Sequence, residues 1–185
     1  DAASMGLHWL YDPQRIAEVT AQTGAIAFCP NKAEHFDGAK GYYAHAARHD
    51  GQFTQYGEAA YLAAKTIADK GTFDVSKHQQ EFVAHFGAGG AFNGYIDRPT
   101  RGTLENIAAE KLAPSGIDDD QHPAIATLPA LIAAGQDNLL DAMQITNVND
   151  VAAKYSTLLA SLLRDVLNGT PVQDALTKAA NGTPL

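Results

Sequence analysis

Asp150-Val-Ala-Ala-Lys-Tyr155-Ser-Thr-Leu-Leu159-Ala-Ser-Leu162-Leu-Arg-Asp-Val166-Leu167 decides the fold class. Val151, Tyr155, Leu158, Leu159, Leu162 and Val166 recur at i, i+4, i+7, i+8, i+11 and i+15, which draws one apolar face along a helix. Asn149 or Asp150 supplies its cap and Gly169 its stop. The same reading predicts helices over Pro13 to Gln22, Glu58 to Asp69, Val75 to Phe86, Thr100 to Leu112, Asp120 to Ala134 and Pro171 to Ala180. Alternating strand patterns are nearly absent, since Ala25 to Cys29 and Tyr42 to Tyr43 are too short to build a sheet. The expected fold is all-α, a bundle of crossing helices joined by polar loops, in one domain over residues 1–185.

The turn Asn168-Gly-Thr-Pro171 recurs as Asn181-Gly-Thr-Pro184. In the first copy Gly ends one helix, Thr caps the next and Pro takes its first turn, so the second copy is expected to open a further helix. Both ends therefore read as cut rather than finished.

Composition narrows the function classes. With 45% hydrophobic and 18% charged residues, a chain of 185 residues has the means to bury a core. A formal charge of -8 with scattered Lys and Arg argues against nucleic acid and against an anionic membrane surface as partners. No run approaches the ~20 apolar residues of a bilayer span, and no N-terminal signal segment is read. The single Cys29 precludes an internal disulfide and reads as a small buried hydrophobe in a reducing, cytoplasmic setting.

Four loops carry more polar chemistry than a connection needs. In Asp1-Ala-Ala-Ser-Met-Gly-Leu-His8-Trp9-Leu-Tyr-Asp12, Trp9 is expected in the core and Asp12 as the cap of the following helix, which leaves His8 over. His45 and His49 are four apart, as helical zinc ligands are, but the glutamate of the metalloprotease motif is missing, and a solvated pair is expected. The glycine-rich segment from Gly87 to Arg101 matches neither nucleotide-binding spacing, and Asp97 beside Arg98 reads as a local ion pair. Asp118, Asp119 and Asp120 repel one another unless a cation, a donor-rich ligand or water relieves them. Asp120 as N-cap of the next helix explains one of the three, and a solvated turn is the structural alternative for all.

Taken together, Asp1-Ala-Ala-Ser-Met-Gly-Leu-His8, Gly51-Gln-Phe-Thr54, Gly94-Tyr-Ile-Asp-Arg-Pro-Thr-Arg-Gly-Thr-Leu104 and Asp118-Asp-Asp-Gln-His-Pro-Ala-Ile-Ala-Thr-Leu-Pro129 resemble, in order and spacing, the ADP-ribosylglycohydrolase family. The resemblance runs from Asp1 to about Leu167. It implies an orthogonal multi-helix bundle of that family's type, two bound magnesium ions, and hydrolysis of the N- or O-glycosidic bond that links ADP-ribose to a protein side chain or small molecule. The family also includes proteins recruited as lens crystallins, so its fold alone does not imply catalysis.

Residue by residue, the resemblance assigns Asp1 and Thr54 to metal binding. Departures stand beside them: Gln55 and Tyr56 replace the two Asp of the family's Thr-Asp-Asp, and His8 replaces the Glu that ends the opening motif. Gln121-His122 replaces Asn-Gly, and Ala126 an Arg. Hard carboxylate oxygens suit magnesium, and an amide, a phenol and an imidazole suit it poorly, so an ordinary two-magnesium centre is not expected. The resemblance implies that His8, the Thr54 to Glu58 turn, Tyr95 and the Asp118 to His122 loop line one cleft. The expected roles are Asp119 or Asp120 activating water or stabilising the oxocarbenium-like state, Glu58 or His8 moving a proton, and Tyr95 stacking on a ring. Asp118, Gln121, His122 and Tyr56 are the further candidates for substrate binding. The alternative is a non-catalytic ADP-ribose- or nucleotide-binding protein, or a crystallin-like structural protein, that kept the fold. The sequence leaves the oligomeric state open.

Overall fold

A computed structural model describes residues 1–181. Among the described residues there are helices and no strands, only the isolated bridges Leu10 to Gly41 and Ile117 to Asn147, so the protein is all-α as expected. No described helix is long and apolar enough to cross a membrane. The chain divides into two compact units, residues 1–58 with 91–96 and residues 59–90 with 97–185.

The first unit is loop-rich. After a 3₁₀ segment at Ala2–Leu7 comes α1, Pro13–Thr23, where Asp12 accepts hydrogen bonds from the backbone N–H groups of Gln14 and Arg15 as the expected cap. A second 3₁₀ turn covers Ala33–Phe36. Cys29 is buried, and its Sγ donates to the Ala25 carbonyl at 2.9 Å. Gly6 packs directly on the Cys29 carbonyl, a place with no room for a side chain. Trp9 is half-buried rather than a core residue, because it sits at φ 67° and turns its ring onto its aromatic neighbours. The His45 to Arg48 segment is a turn and not a helix, so the four-residue histidine spacing has no helical meaning: His45 is buried and His49 exposed.

Helix α2, Gln55–Lys70, starts three residues before the expected Glu58, because Thr54 and Asp1 satisfy its first turn. In the second unit, α3 spans Val75–Phe86 as predicted, capped by Asp74. Helix α4 is Arg98–Ala108, shifted towards the N-terminus from the predicted Thr100–Leu112. Asp97, fully buried, caps it through the Thr100 N–H, and Glu110 at φ 59° closes its other end. Asp97 is thus a helix cap and not the ion partner of Arg98.

Helix α5, Ala124–Ala133, begins four residues after Asp120, with Pro123 at the N-cap position. Proline disfavours helical backbone at the residue before it, so the helix cannot start upstream of His122, and Asp120 is not its cap. α6 is a five-residue helix, Leu139–Met143, that the sequence periodicity is too short to mark. α7, Asp150–Leu167, is capped by Asn149, and α8 covers Val172–Asn181. The further helix expected after the second Asn-Gly-Thr-Pro turn lies outside the described residues.

The core of this unit gathers Ala63, Ile67, Phe73, Leu128, Leu131, Ile132, Leu139, Ala142, Ile145 and Ala160. The face of α7 that packs deepest differs from the predicted one. Ala152, Ser156 and Ala160 are buried, whereas Val151 and Tyr155 are 54% and 46% exposed. Small residues at i, i+4 and i+8 let α7 approach its neighbours closely, and they carry little weight in a hydrophobicity pattern.

Candidate functional site

Each unit is built separately from the residues the sequence singles out. In the first, Asp1 and Thr54 meet although 53 positions apart: the Thr54 backbone N–H donates to Asp1 Oδ2 at 2.7 Å and its hydroxyl to Oδ1 at 2.6 Å. Thr54 is buried, and Gly57 one turn on leaves the space that the Asp1 carboxylate occupies, since a Cβ there would lie 2.6 Å from Oδ2. The negative charge sits at the start of α2, where free N–H groups and the helix dipole favour it.

His8 takes a partner the sequence did not reveal. Its Nδ1 lies 2.6 Å from His45 Nε2, with the two rings 18° from coplanar. The 5.0 Å between ring centres matches the N···N distance plus the two ring radii, the largest separation that contact allows, so the rings meet edge to edge along one hydrogen bond. Burial lowers the pKa of both, His45 to about 4, with charge repulsion from His8 and then Arg48 adding to it. Trp9 flanks His8 and itself meets Tyr42 and Tyr95, the latter edge-on at 4.9 Å.

Glu58 is held in an ion pair. Its carboxylate accepts from Arg48 at 2.7 Å, with side chains only 18% and 9% exposed, and the Arg48 guanidinium also bonds the Phe53 carbonyl and lies over the Phe92 ring. Tyr56 is half-buried in the first turn of α2.

In the second unit the Asp118 to His122 loop is fastened from both sides. Asp119 Oδ2 accepts from Arg98 Nε at 2.7 Å, Oδ1 accepts from the Gln121 N–H at 2.8 Å, and the side chain is 7% exposed. The Asp119 carbonyl accepts from Asn149 and Asn147, and Asn147, fully buried, also donates to the Gln121 carbonyl at 2.7 Å. Gln121 Oε1 accepts from the Arg98 N–H. Asp118 and Asp120 are exposed. His122 lies edge-on to Tyr155, its Nε2 is buried without a hydrogen-bond partner, and burial lowers its pKa. The acidic run is thus relieved by one arginine, one amide N–H and solvent. Two hollows of about 590 and 550 Å³ lie along α6, α7 and α8, and no candidate site residue lines either.

Both Asp1 oxygens accept hydrogen bonds from Thr54, and among the described residues no three His, Cys, Asp or Glu side chains gather as metal ligands. What the site residues offer is an imidazole pair, an open carboxylate at Asp120, a paired glutamate and an aromatic group.

These features define an all-α protein with acid–base groups on both units. Comparison with known proteins finds crystallin J1B of Tripedalia cystophora, 26% identical over 187 residues that cover 91% of this chain and 55% of that protein. Crystallin J1A of the same organism is 26% identical over 202 residues, covering 100% of this chain and 60% of its own length. The chain therefore spans somewhat over half the length of these curated relatives. No protein-family model and no solved structure matches the chain.

Proposed function

We propose that this chain is an ADP-ribosylglycohydrolase-like hydrolase, on a helical bundle of that family's type, which cleaves a glycosidic bond of ADP-ribose or a related nucleoside-sugar conjugate without a two-magnesium centre. The observation that carries the reading is the contact between Asp1 and Thr54. These are the two residues that the family resemblance assigns to one site, and they come from motifs far apart in the sequence.

In this reading the bond from the anomeric carbon to the leaving nitrogen or oxygen breaks as water adds to that carbon. Water gives its proton to Asp120, whose carboxylate is exposed, and the leaving group takes one from solvent. Asp119 shapes the loop rather than reacting, because both its oxygens are bonded. Glu58 is neutralised by Arg48 and likewise serves structure. Tyr95, beside Trp9, is an aromatic surface of the first unit.

A second reading is favoured by the similarity to the two J1 crystallins: a structural or ligand-binding protein with this fold and no turnover. Calorimetric titration with ADP-ribose, with and without magnesium, separates the two when followed by a release assay on ADP-ribosylated arginine and serine peptides. Heat with release supports the hydrolase, heat alone a binding protein, and neither the structural reading.

A further inference from the structure

We propose that the apolar stripe of α7 receives a second copy of this chain, with the two α7 helices antiparallel about a twofold axis at the level of the Leu158-Leu159 bond. The inference uses residues of the second unit alone and does not depend on the hydrolase reading.

Helix α7 has two faces that can pack. Ala152, Ser156 and Ala160 are buried against the rest of the unit. The stripe of Val151, Tyr155, Leu158, Leu159, Leu162 and Val166 lies beside that face and is far less covered. Leu159 packs on the core, Val151 and Tyr155 are exposed, and Leu158, Leu162 and Val166 are half-buried. Leu158 and Leu162 also line the hollow of about 590 Å³, so their flank is open. A contiguous apolar surface left on a helix that is already anchored by its other face marks an interaction site.

The spacing of the stripe names its occupant, because it reads alike from both ends. Val151 and Val166, Tyr155 and Leu162, and Leu158 and Leu159 are pairwise equidistant from the Leu158-Leu159 bond. A reversed copy therefore brings Val151 level with Val166, Tyr155 with Leu162 and Leu158 with Leu159. The same six residues form two ridges at four-residue spacing, Val151-Tyr155-Leu159 and Leu158-Leu162-Val166, the kind that interdigitates in the commonest helix packing. A patch that complements itself in this way closes as a dimer. Charge selects the same orientation. Lys154 and Asp165 lie on one flank of the stripe towards opposite ends, so parallel helices would set Lys154 against Lys154 and Asp165 against Asp165. Antiparallel ones bring each Lys154 to within about 3 Å, along the axis, of the level of Asp165 in the other copy. Asp165 Oδ2 accepts from Lys178, and a carboxylate can accept a second donor through its other oxygen.

The test is sedimentation velocity of the full chain from about 1 to about 200 µM, since one helix pair buries less than a standard interface and gives a dissociation constant on the order of 10 µM. The parent protein is expected to pass from monomer to dimer across that range, and Tyr155→Lys, at an exposed position, to stay monomeric. A parent protein that is monomeric throughout, as a different occupant of the stripe would leave it, overturns the proposal, and so does a Tyr155→Lys variant that dimerises like the parent. Oxidative cross-linking reads the orientation, and buried Cys29 does not compete. Val151→Cys mixed with Val166→Cys is expected to form a disulfide-linked pair, whereas neither variant forms one alone, because the two positions are about 22 Å apart along the helix. Cross-linking of Val151→Cys to itself and not to Val166→Cys means parallel helices and overturns the proposal. Should Tyr155→Lys not fold, the cross-linking pattern decides.

Discussion

Thr54 offers both its backbone N–H and its hydroxyl to the carboxylate of Asp1, at 2.7 and 2.6 Å, and so ties the first residue of the chain to the first turn of a helix that begins more than fifty positions later. Thr54→Val keeps the shape and removes the hydroxyl. The expected cost is about 1 kcal/mol, the range of a lost helix-cap hydrogen bond, or roughly 2–4 °C in Tm for a chain of this size. Thermal unfolding of the two proteins in parallel checks it, and an unchanged Tm would show that the contact contributes nothing.

Arg98 and Asp119 define the second loop in the same way, and here neighbouring aspartates are expected to part company. Asp119→Ala leaves Arg98 Nε and the Gln121 N–H without their acceptor, while Arg98 Nη2 keeps the Asp118 carbonyl. The cost is about 1–2 kcal/mol, kept low because Arg98 is largely solvated. Asp120→Asn, at an exposed position, shifts stability by less than about 0.5 kcal/mol. Urea denaturation of both variants measures the difference.

Gly116 sits where the chain crosses towards Asn147. A Cβ there would lie 2.6 Å from the backbone of both Thr146 and Asn147. Backbone cannot yield as a flexible side chain does, so Gly116→Ala is expected to cost about 3 kcal/mol and to loosen the Asp118 to His122 loop. Hydrogen exchange of the Ile117 and Val148 amides, which bond across this crossing, reads the loosening directly.

Stability should fall on the acid side of neutrality. Burial holds His78 to about 4, with Glu81 opposing the shift, and His45 to about 4. Each therefore binds a proton in the unfolded chain near pH 6.5 and in the folded protein only near 4, so their stabilising effect is complete above 6.5 and is lost as the pH drops through that window. His78→Asn should reduce the slope of unfolding free energy against pH between 6.5 and 4 by about one proton. An unchanged slope would mean that His78 already titrates normally in the folded state.

Much of this architecture is legible in the sequence, because it rests on local rules. Val75–Phe86 and the Asp12 cap of α1 follow from periodicity and cap chemistry alone. Misreadings arise where a distant group decides. Asp120 looks like a cap until Pro123 bars helical backbone upstream, and Asp97 looks like the partner of Arg98 until Asp119 arrives from another loop. α7 buries Ala152, Ser156 and Ala160, and close approach of small residues leaves almost no hydrophobic signal. The His8 to His45 contact joins positions 37 apart through a turn with no pattern of its own. The sequence reads His45 as half of a solvated pair, so nothing in it marks the contact.

Turnover tests the proposed hydrolase most directly. ADP-ribosylated arginine peptide is incubated with the full chain in excess chelator, and free ADP-ribose is followed for the parent protein and for Asp120→Asn. The prediction is release by the parent protein that persists without magnesium and falls at least 100-fold in Asp120→Asn, within the range expected for loss of a general base. No release from the parent, or equal release from both proteins, contradicts it.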